Sequence, residues 1–204
     1  MDTKVRIWDP LIRIFHWSLV TLFGVAYLTE GEPETLHIWA GYGIGMLLVF
    51  RLVWGLIGTR YARFSSFVTT PTTTLRYLKQ IFIGKAKRHL GHNPAGAAMI
   101  IALILSVGFT VISGMALLGT EGEGPLAATF LAGLPEDPVE EVHEFFANAS
   151  VLLIMLHVAG VLIASWQHRE NLIRSMWNGY KSADTTSATP SSHHQGDIRH
   201  DQIS

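Results

Sequence analysis

The sequence predicts an all-α integral membrane protein: a four-helix bundle with a cytoplasmic interfacial helix between spans two and three. Three observations carry this prediction. Of the 204 residues, 49% are hydrophobic and only 15% are charged, whereas soluble domains average about 25% charged residues. The apolar residues collect in four runs long enough for a helix to cross a bilayer, which takes about 20 residues. The basic residues are confined almost entirely to alternate connections.

The four apolar runs define the predicted spans. They cover residues 11–29, 36–58, 95–118 and 140–169. Pro10 precedes the first run, and proline is favoured at the first position of a helix. We expect residues 1–181 to form one membrane domain. Residues 182–204 contain almost no apolar side chains and are expected to be a disordered polar tail.

The connection between spans two and three has a helical pattern of its own. Residues 74–88 (TLRYLKQIFIGKAKR) put their large apolar side chains on one side and their basic side chains largely on the other. That pattern is typical of an amphipathic helix that lies in the membrane interface. A loop is the alternative.

The distribution of basic residues predicts the orientation of the chain. The connections at 30–35 and 119–139 contain neither Lys nor Arg, whereas the amino-terminal segment, residues 59–94 and the segment after residue 168 are rich in both. Basic residues are enriched in cytoplasmic connections. We therefore expect a multi-pass protein of the bacterial inner membrane with both termini in the cytoplasm.

Four histidines fall inside the predicted spans, and the orientation gives each of them a depth. His16 and His157 lie toward the inner side, whereas His37 and His143 lie toward the outer side. His143 and His157 are fourteen residues apart on one helix, so they share a face at a separation of about 21 Å. The four side chains therefore divide into two pairs, each at its own depth.

Two imidazoles at one depth suit a b-type haem, because they fill both axial positions and leave none open for oxygen chemistry. The pairs predict two haem b groups, His16/His157 inside and His37/His143 outside. A histidine-based metal transporter is the alternative of another class, but a metal cluster needs three or four ligands at one depth. Hydrogen bonding between helices is the other role open to each histidine.

Residues beside these histidines also suit a flat macrocycle. Gly41 and Gly45 follow His37 by one and two turns, and Ala147 and Ser150 lie similarly below His143. Small side chains there leave room for a haem, although Gly-x-x-x-Gly is also a helix-packing motif.

Two arginines complete the candidate binding residues. Arg13 precedes His16 by one turn, and Arg51 follows His37 by fourteen residues, which places it on the same face at the inner level. Either guanidinium is placed to meet a haem propionate. The alternative is that they anchor the helix ends at the membrane surface.

The remaining histidines lie outside the predicted spans. His168 is expected to be a solvated helix end, and His89 and His92 either line a quinone site, take part in proton transfer, or are ordinary loop residues. The tail holds His193, His194 and His200.

The composition excludes several classes. The chain has no cysteine, which rules out disulfides, thiolate-bound iron–sulfur clusters and c-type haem attachment within it. Its net charge is −1, so nothing in the overall charge indicates nucleic-acid binding.

Several segments resemble the bacterial cytochrome b561 and Ni/Fe-hydrogenase b-type cytochrome superfamily. They are RIFHW (13–17), LHIWAGY (36–42), FRLVWGLIGTRYARF (50–64), GHNPAG (91–96), VHEFFAN (142–148), LHVAG (156–160) and HRENLIRSMWNG (168–179). The resemblance implies a four-helix membrane protein with two b haems bound by histidines of spans one, two and four. Carried over to this chain, those ligands are His16, His37, His143 and His157.

The predicted function follows from both lines of reasoning. We expect a dihaem b-type cytochrome that transfers electrons across the inner membrane. Its partners are expected to be the quinone pool and either a periplasmic cytochrome c or an oxidoreductase subunit. A cytochrome subunit of a Ni/Fe-hydrogenase is the alternative within the superfamily. Whether the chain is the quinone-reactive subunit of an enzyme stays open.

Overall fold

The computed structural model describes residues 4–31 and 33–183. Of the predicted disordered tail at 182–204, residues 184–204, with the three tail histidines, lie outside these residues. The described helices are α1 (Pro10–Leu28), α2 (Glu34–Ile57), α3 (Pro71–Phe82), α4 (Pro94–Thr120), α5 (Glu136–Gln167) and α6 (Leu172–Asn178). Two short strands, β1 (Lys4–Arg6) and β2 (Tyr180–Ser182), pair antiparallel.

Four of the helices are long and apolar enough to cross a membrane: α1, α2, α4 and α5. The predicted all-α membrane fold with four spans is therefore confirmed, and the spans begin and end within a few residues of the predicted bounds. We call the end of the bundle that holds both strands and α3 the inner end, and the opposite end the outer end.

Three helices begin with the same N-terminal capping arrangement. Asp9, Thr70 and Asn93 each precede a proline, and the side chain of each accepts a hydrogen bond from a backbone N–H three residues later. Such a cap satisfies a donor that would otherwise lack a partner. Proline at the next position costs no hydrogen bond. Local sequence thus determines where α1, α3 and α4 start.

The helices pack as two pairs. α5 lies along α4, α1 lies along α2, and the pairs meet where α2 contacts α4. The core at that contact consists of Ile44, Leu48 and Val107, with partly buried neighbours from α1 and α4. α1 and α5 face each other across an apolar cavity of about 310 Å³, lined by Phe23, Gly24, Tyr27, Leu28, Val151, Ile154 and Met155.

The predicted helix at 74–88 exists but its bounds were wrong. It begins at Pro71, after the Thr70 cap, and ends at Phe82. Gly84 follows with a φ of +67°, a left-handed conformation that stops a helix and suits glycine. The location of α3 in a membrane interface stays a prediction.

The inner end contains a small structure that the sequence did not reveal. β1 pairs with β2, with Val5 opposite Lys181, and the Gly179 carbonyl accepts hydrogen bonds from Ile7 and Trp8. Gly179 has a φ of +88°, and a Cβ there would lie 2.7 Å from the Trp8 carbonyl oxygen. The glycine therefore allows the segment after α6 to close against the start of α1.

Candidate functional site

The four predicted ligand histidines lie in two groups. The rings of His37 and His143 have their centres 6.1 Å apart, with an angle of 77° between their planes. At the inner level, His16 and His157 are near enough to interact electrostatically. The partners at each level are the ones that the depth argument predicts.

The outer imidazoles are held by backbone carbonyls. His37 Nδ1 lies 2.8 Å from the Ala26 carbonyl oxygen, and His143 Nδ1 lies 2.9 Å from that of Thr110. A carbonyl oxygen only accepts, so Nδ1 must carry the hydrogen in both rings. Nε2 is then left with its lone pair. This tautomer is the one that a metal-binding histidine takes when its other nitrogen is fixed by a hydrogen bond.

The separation of the outer rings fits one metal between them. Two imidazoles that bind a metal axially have ring centres about 6 Å apart, since each metal–nitrogen bond is about 2 Å and the nitrogen is about 1 Å from its ring centre. The observed separation of 6.1 Å is consistent with this value. The donor set is two neutral nitrogens, which suits haem iron.

α4 holds the outer site together although it contributes no histidine. Thr110 supplies the carbonyl, the Ser113 hydroxyl lies 3.3 Å from His143 Nδ1, and Gly114 makes room for the ring. A Cβ on Gly114 would lie 2.8 Å from His143 Cε1. Sequence reasoning missed these residues. The available signal was their i, i+3, i+4 spacing, which puts three small or polar residues on one face of an apolar helix.

The inner group has a different character. Among the described residues, Arg13 Nε, His16 Nδ1, Trp17 Nε1, Arg51 Nη1 and His92 Nδ1 are buried without a hydrogen-bond partner. A buried donor left unpaired costs free energy. These groups therefore fit a ligand that brings acceptors, as the carboxylates of a haem would.

The two predicted arginines are both partly or wholly enclosed. Arg51 is 4% exposed, and its guanidinium lies 4.6 Å from the centre of the Phe64 ring. Arg13 Nη2 donates to the carbonyl of Trp177 in α6. Neither side chain extends into solvent as a surface anchor would.

His92 is not an ordinary surface loop residue. Its ring lies between Trp8 and Phe67, at 4.6 and 4.5 Å between centres. Burial lowers the pKa of His92 to about 3, helped by the charges of Arg51 and Lys181. The imidazole is therefore neutral. His89, by contrast, is exposed, with Nδ1 3.0 Å from the Lys87 carbonyl oxygen.

Two of the small residues expected beside a macrocycle lie against α4. Ser150 is fully buried between α4 and α5, with its hydroxyl 2.9 Å from that of Ser106. A Cβ on Gly45 would lie 3.2 Å from Val111 Cγ1. Ser150 therefore does not form part of an open haem surface, whereas the assignment of Gly45 stays a prediction. Gly41, by contrast, is open, with no described atom within 4 Å of the position of a Cβ.

A metal cluster is not formed by the part of the chain that the structure describes. Residues 4–31 and 33–183 contain no group of three or more His, Asp or Glu side chains placed to hold a metal ion. The transporter alternative therefore gains no support from the geometry.

Comparisons with known proteins identify a family for this chain. The family model for prokaryotic cytochrome b561 matches residues 7–179. A probable Ni/Fe-hydrogenase B-type cytochrome subunit of Azotobacter chroococcum mcd 1 is 24% identical over 88% of this chain and 89% of its own length.

Two further relatives are similar to the chain over most of its length. A probable Ni/Fe-hydrogenase B-type cytochrome subunit of Rhizobium leguminosarum bv. viciae is 23% identical over 86% of this chain and 88% of its own. A probable Ni/Fe-hydrogenase 1 B-type cytochrome subunit of Escherichia coli (strain K12) is 23% identical over 86% and 90%. No solved structure matches significantly. The chain belongs to the prokaryotic cytochrome b561 family, whose membership implies haem b, and is a membrane b-type cytochrome of electron transfer.

Proposed function

We propose that this cytochrome binds two b haems, one between His37 and His143 and one between His16 and His157. It carries electrons across the bacterial inner membrane between the quinone pool and a redox partner, with both termini in the cytoplasm. The observation that carries the proposal is the outer pair: two rings 6.1 Å apart, each with Nδ1 bonded to a carbonyl.

The protein's part in the chemistry follows from these contacts. A bound haem would supply reversible one-electron chemistry, and two imidazole ligands at each site would leave no open position for oxygen. The hydrogen bonds at Nδ1 fix the orientation of His37 and His143 and increase their basicity as ligands. The surrounding apolar helices exclude water, which tunes the potential.

The length of α5 sets the distance over which electrons move. His143 and His157 share this helix and are fourteen residues apart, which corresponds to about 21 Å along the axis. We propose that α5 supplies one ligand to each site, while α2 supplies the second ligand outside and α1 the second ligand inside. With haem bound at both levels, electron transfer between them would connect the two sides of the membrane.

The quinone reaction is proposed to take place at the inner end. The outer redox partner is proposed to be a periplasmic cytochrome c or an oxidoreductase subunit.

A hydrogenase is the second candidate partner. It is favoured by the relatives named as Ni/Fe-hydrogenase B-type cytochrome subunits, which align with 86–88% of this chain. Reduction of the b haems by H₂ in native membranes would support this partner. Reduction that needs an added quinol and is unaffected by H₂ would favour the cytochrome c alternative.

The central experiment measures the haem content of the purified protein. A reduced-minus-oxidised spectrum should show b-type α and Soret bands, and a pyridine haemochrome assay should give two haems per chain. A ratio of one would mean that one proposed pair binds no haem. The lack of any b-type band would contradict the proposal as a whole.

A further inference from the structure

The inner end has buried N–H groups beyond those of the proposed ligands. Leaving aside His16, four of them lack a hydrogen-bond partner among residues 4–31 and 33–183: Arg13 Nε, Trp17 Nε1, Arg51 Nη1 and His92 Nδ1. They form two couples, each with one guanidinium and one ring nitrogen: the N–H of Trp17, and Nδ1 of His92, which can carry the one hydrogen of the neutral imidazole. Because buried donors of this kind are normally paired, each couple indicates a place for an acceptor.

Arg13 and Trp17 form the first couple. They are four residues apart on α1, so their side chains are neighbours on one face. The Trp17 ring meets Trp177 at 5.7 Å between centres, and Arg13 Nη2 donates to the carbonyl of Trp177. α6 thus holds both side chains in position while Arg13 Nε and Trp17 Nε1 keep their hydrogens unused.

Arg51 and His92 form the second couple. The charge of Arg51 acts on His92, and aromatic rings surround both: Phe64 lies against Arg51, and Trp8 and Phe67 enclose His92. Asp9 is the carboxylate that acts on Arg51, but its oxygens already accept from Ile12 N, Thr59 Oγ1 and Trp54 Nε1. No hydrogen bond joins Asp9 to Arg51 Nη1, which has no partner among the described residues.

We propose that each couple holds one propionate of the inner haem, with Arg13 and Trp17 on one and Arg51 and His92 on the other. This inference rests on the proposed haem between His16 and His157 and adds two positioning residues, Trp17 and His92. An arginine suits a carboxylate because its donors form a planar fork. The adjoining ring N–H adds a neutral donor without adding charge. Together they offset the propionate charge, which would otherwise favour the ferric state.

The test compares Trp17→Phe and His92→Phe with two matched controls. Trp166→Phe removes an exposed indole at the inner end of α5, and His89→Phe removes the exposed histidine of the loop that contains His92. In a redox titration, each test variant should lower the potential of the inner haem by about 59 mV. This shift corresponds to a tenfold change in a one-electron redox equilibrium. The outer potential should not change, and both controls should keep wild-type values. His92→Gln, which keeps an N–H donor, should restore most of the potential.

Two further measurements separate this role from a structural one. Because Arg13 and Trp17 share one carboxylate, the effects of Arg13→Gln and Trp17→Phe should not add, whereas those of Trp17→Phe and His92→Phe should. After reconstitution with haem dimethyl ester, which lacks the carboxylates, the variants and the wild type should have the same inner potential. A difference that persists with the ester would overturn the proposal.

The remaining outcomes are also decisive. Wild-type inner potentials in both variants, with two haems still bound, would overturn this inference and leave the dihaem function intact. If His92→Phe abolished reduction by quinol but left the inner potential unchanged, His92 would serve the quinone, and the second couple would be refuted. One haem per wild-type chain, with the inner one missing, would refute the proposed function and this inference together.

Discussion

The outer and inner histidine pairs differ in how many hydrogen bonds the rest of the protein makes to their rings. At the outer end, backbone carbonyls of α1 and α4 already hold the rings of His37 and His143, and no Lys or Arg lies in the nearby connections. At the inner end, His16 Nδ1 and the donors around it have no partner among the described residues. In the proposed dihaem protein, the outer site would be preorganised by the protein alone, whereas the donors of the inner site would be satisfied only by the bound haem.

This difference implies different consequences of mutation. Substitutions at the outer end should weaken haem binding by displacing the imidazole rings, because the position of each ring is fixed by one or two contacts. Substitutions at the inner end should change the charge near the haem, or lower the stability of the chain ends that enclose the inner site. The following predictions test this contrast, from the largest expected effect to the smallest.

Removing an outer ligand should have the largest effect. His143→Ala should reduce the haem content from two per chain to one and remove only the outer spectral component, since the inner pair shares no described contact with His143. The pyridine haemochrome ratio and a redox titration measure both changes. His168→Ala, beyond the end of the same helix, is the control and should bind two haems. Loss of the inner haem alone would overturn the assignment of pairs to depths.

Filling the space beneath His143 should have a somewhat smaller effect. Gly114→Ala places a methyl group 2.8 Å from His143 Cε1, and such overpacking costs about 1–3 kcal/mol. We expect the outer haem to be bound severalfold more weakly, with the inner haem unaffected. Gly108→Ala on the same helix meets no described atom within 4 Å and should behave as wild type. Equal effects of the two variants would contradict the role of Gly114.

The sequence predicts one part of this architecture much better than the other. Apolar runs, caps and the depths of four histidines depend on local pattern, so the spans and the facing of His37 toward His143 could be predicted. The ring contacts could not, because Thr110 and Gly114 act through a backbone oxygen and through the absence of a side chain. β1, β2 and α6 could not be predicted either, because they are too short to show a hydrophobic periodicity. Their packing also depends on Gly179, whose carbonyl accepts hydrogen bonds from the distant residues Ile7 and Trp8.

At the inner end, the cap of α1 should contribute to stability in a pH-dependent way. Burial alone would raise the pKa of Asp9, but hydrogen bonds from Thr59, Ile12, Trp54 and Leu11 outweigh it and hold the pKa below its usual value. A lowered folded-state pKa stabilises the fold above the unfolded value, about 4. That stabilisation is lost as the pH falls through the folded pKa.

Asp9→Asn tests this contribution. It should lower the free energy of unfolding by about 1 kcal/mol at neutral pH, and the difference from wild type should shrink as the pH falls below about 4. Thermal unfolding in detergent between these pH values measures it. Asp137→Asn, in the exposed first turn of α5, is the control. A difference that grew on acidification would show that the sign of the pKa shift is wrong.

The smallest effect is expected at Ser150, which lies below His143 but faces α4. Its hydroxyl contacts those of Ser106 and Thr110 at 2.9 and 3.4 Å, and hydrogen bonds between membrane helices contribute about 0.6 kcal/mol on average. Ser150→Ala should therefore lower stability by roughly that amount and leave both haems and their potentials unchanged. Ser106 keeps the Phe146 carbonyl as an acceptor, which limits the penalty.

A larger side chain at the same position distinguishes packing from haem contact. Ser150 is fully buried, so Ser150→Leu must push α4 away from α5, and the Thr110 carbonyl and Gly114 would move with α4. We expect this variant to weaken binding of the outer haem, as Gly114→Ala does, while Ser150→Ala does not. If Ser150→Ala shifted the potential of the outer haem, Ser150 would contact that haem directly. The contrast between the two sites would then be weaker, because the outer site would depend on a side chain of α5 as well as on backbone carbonyls.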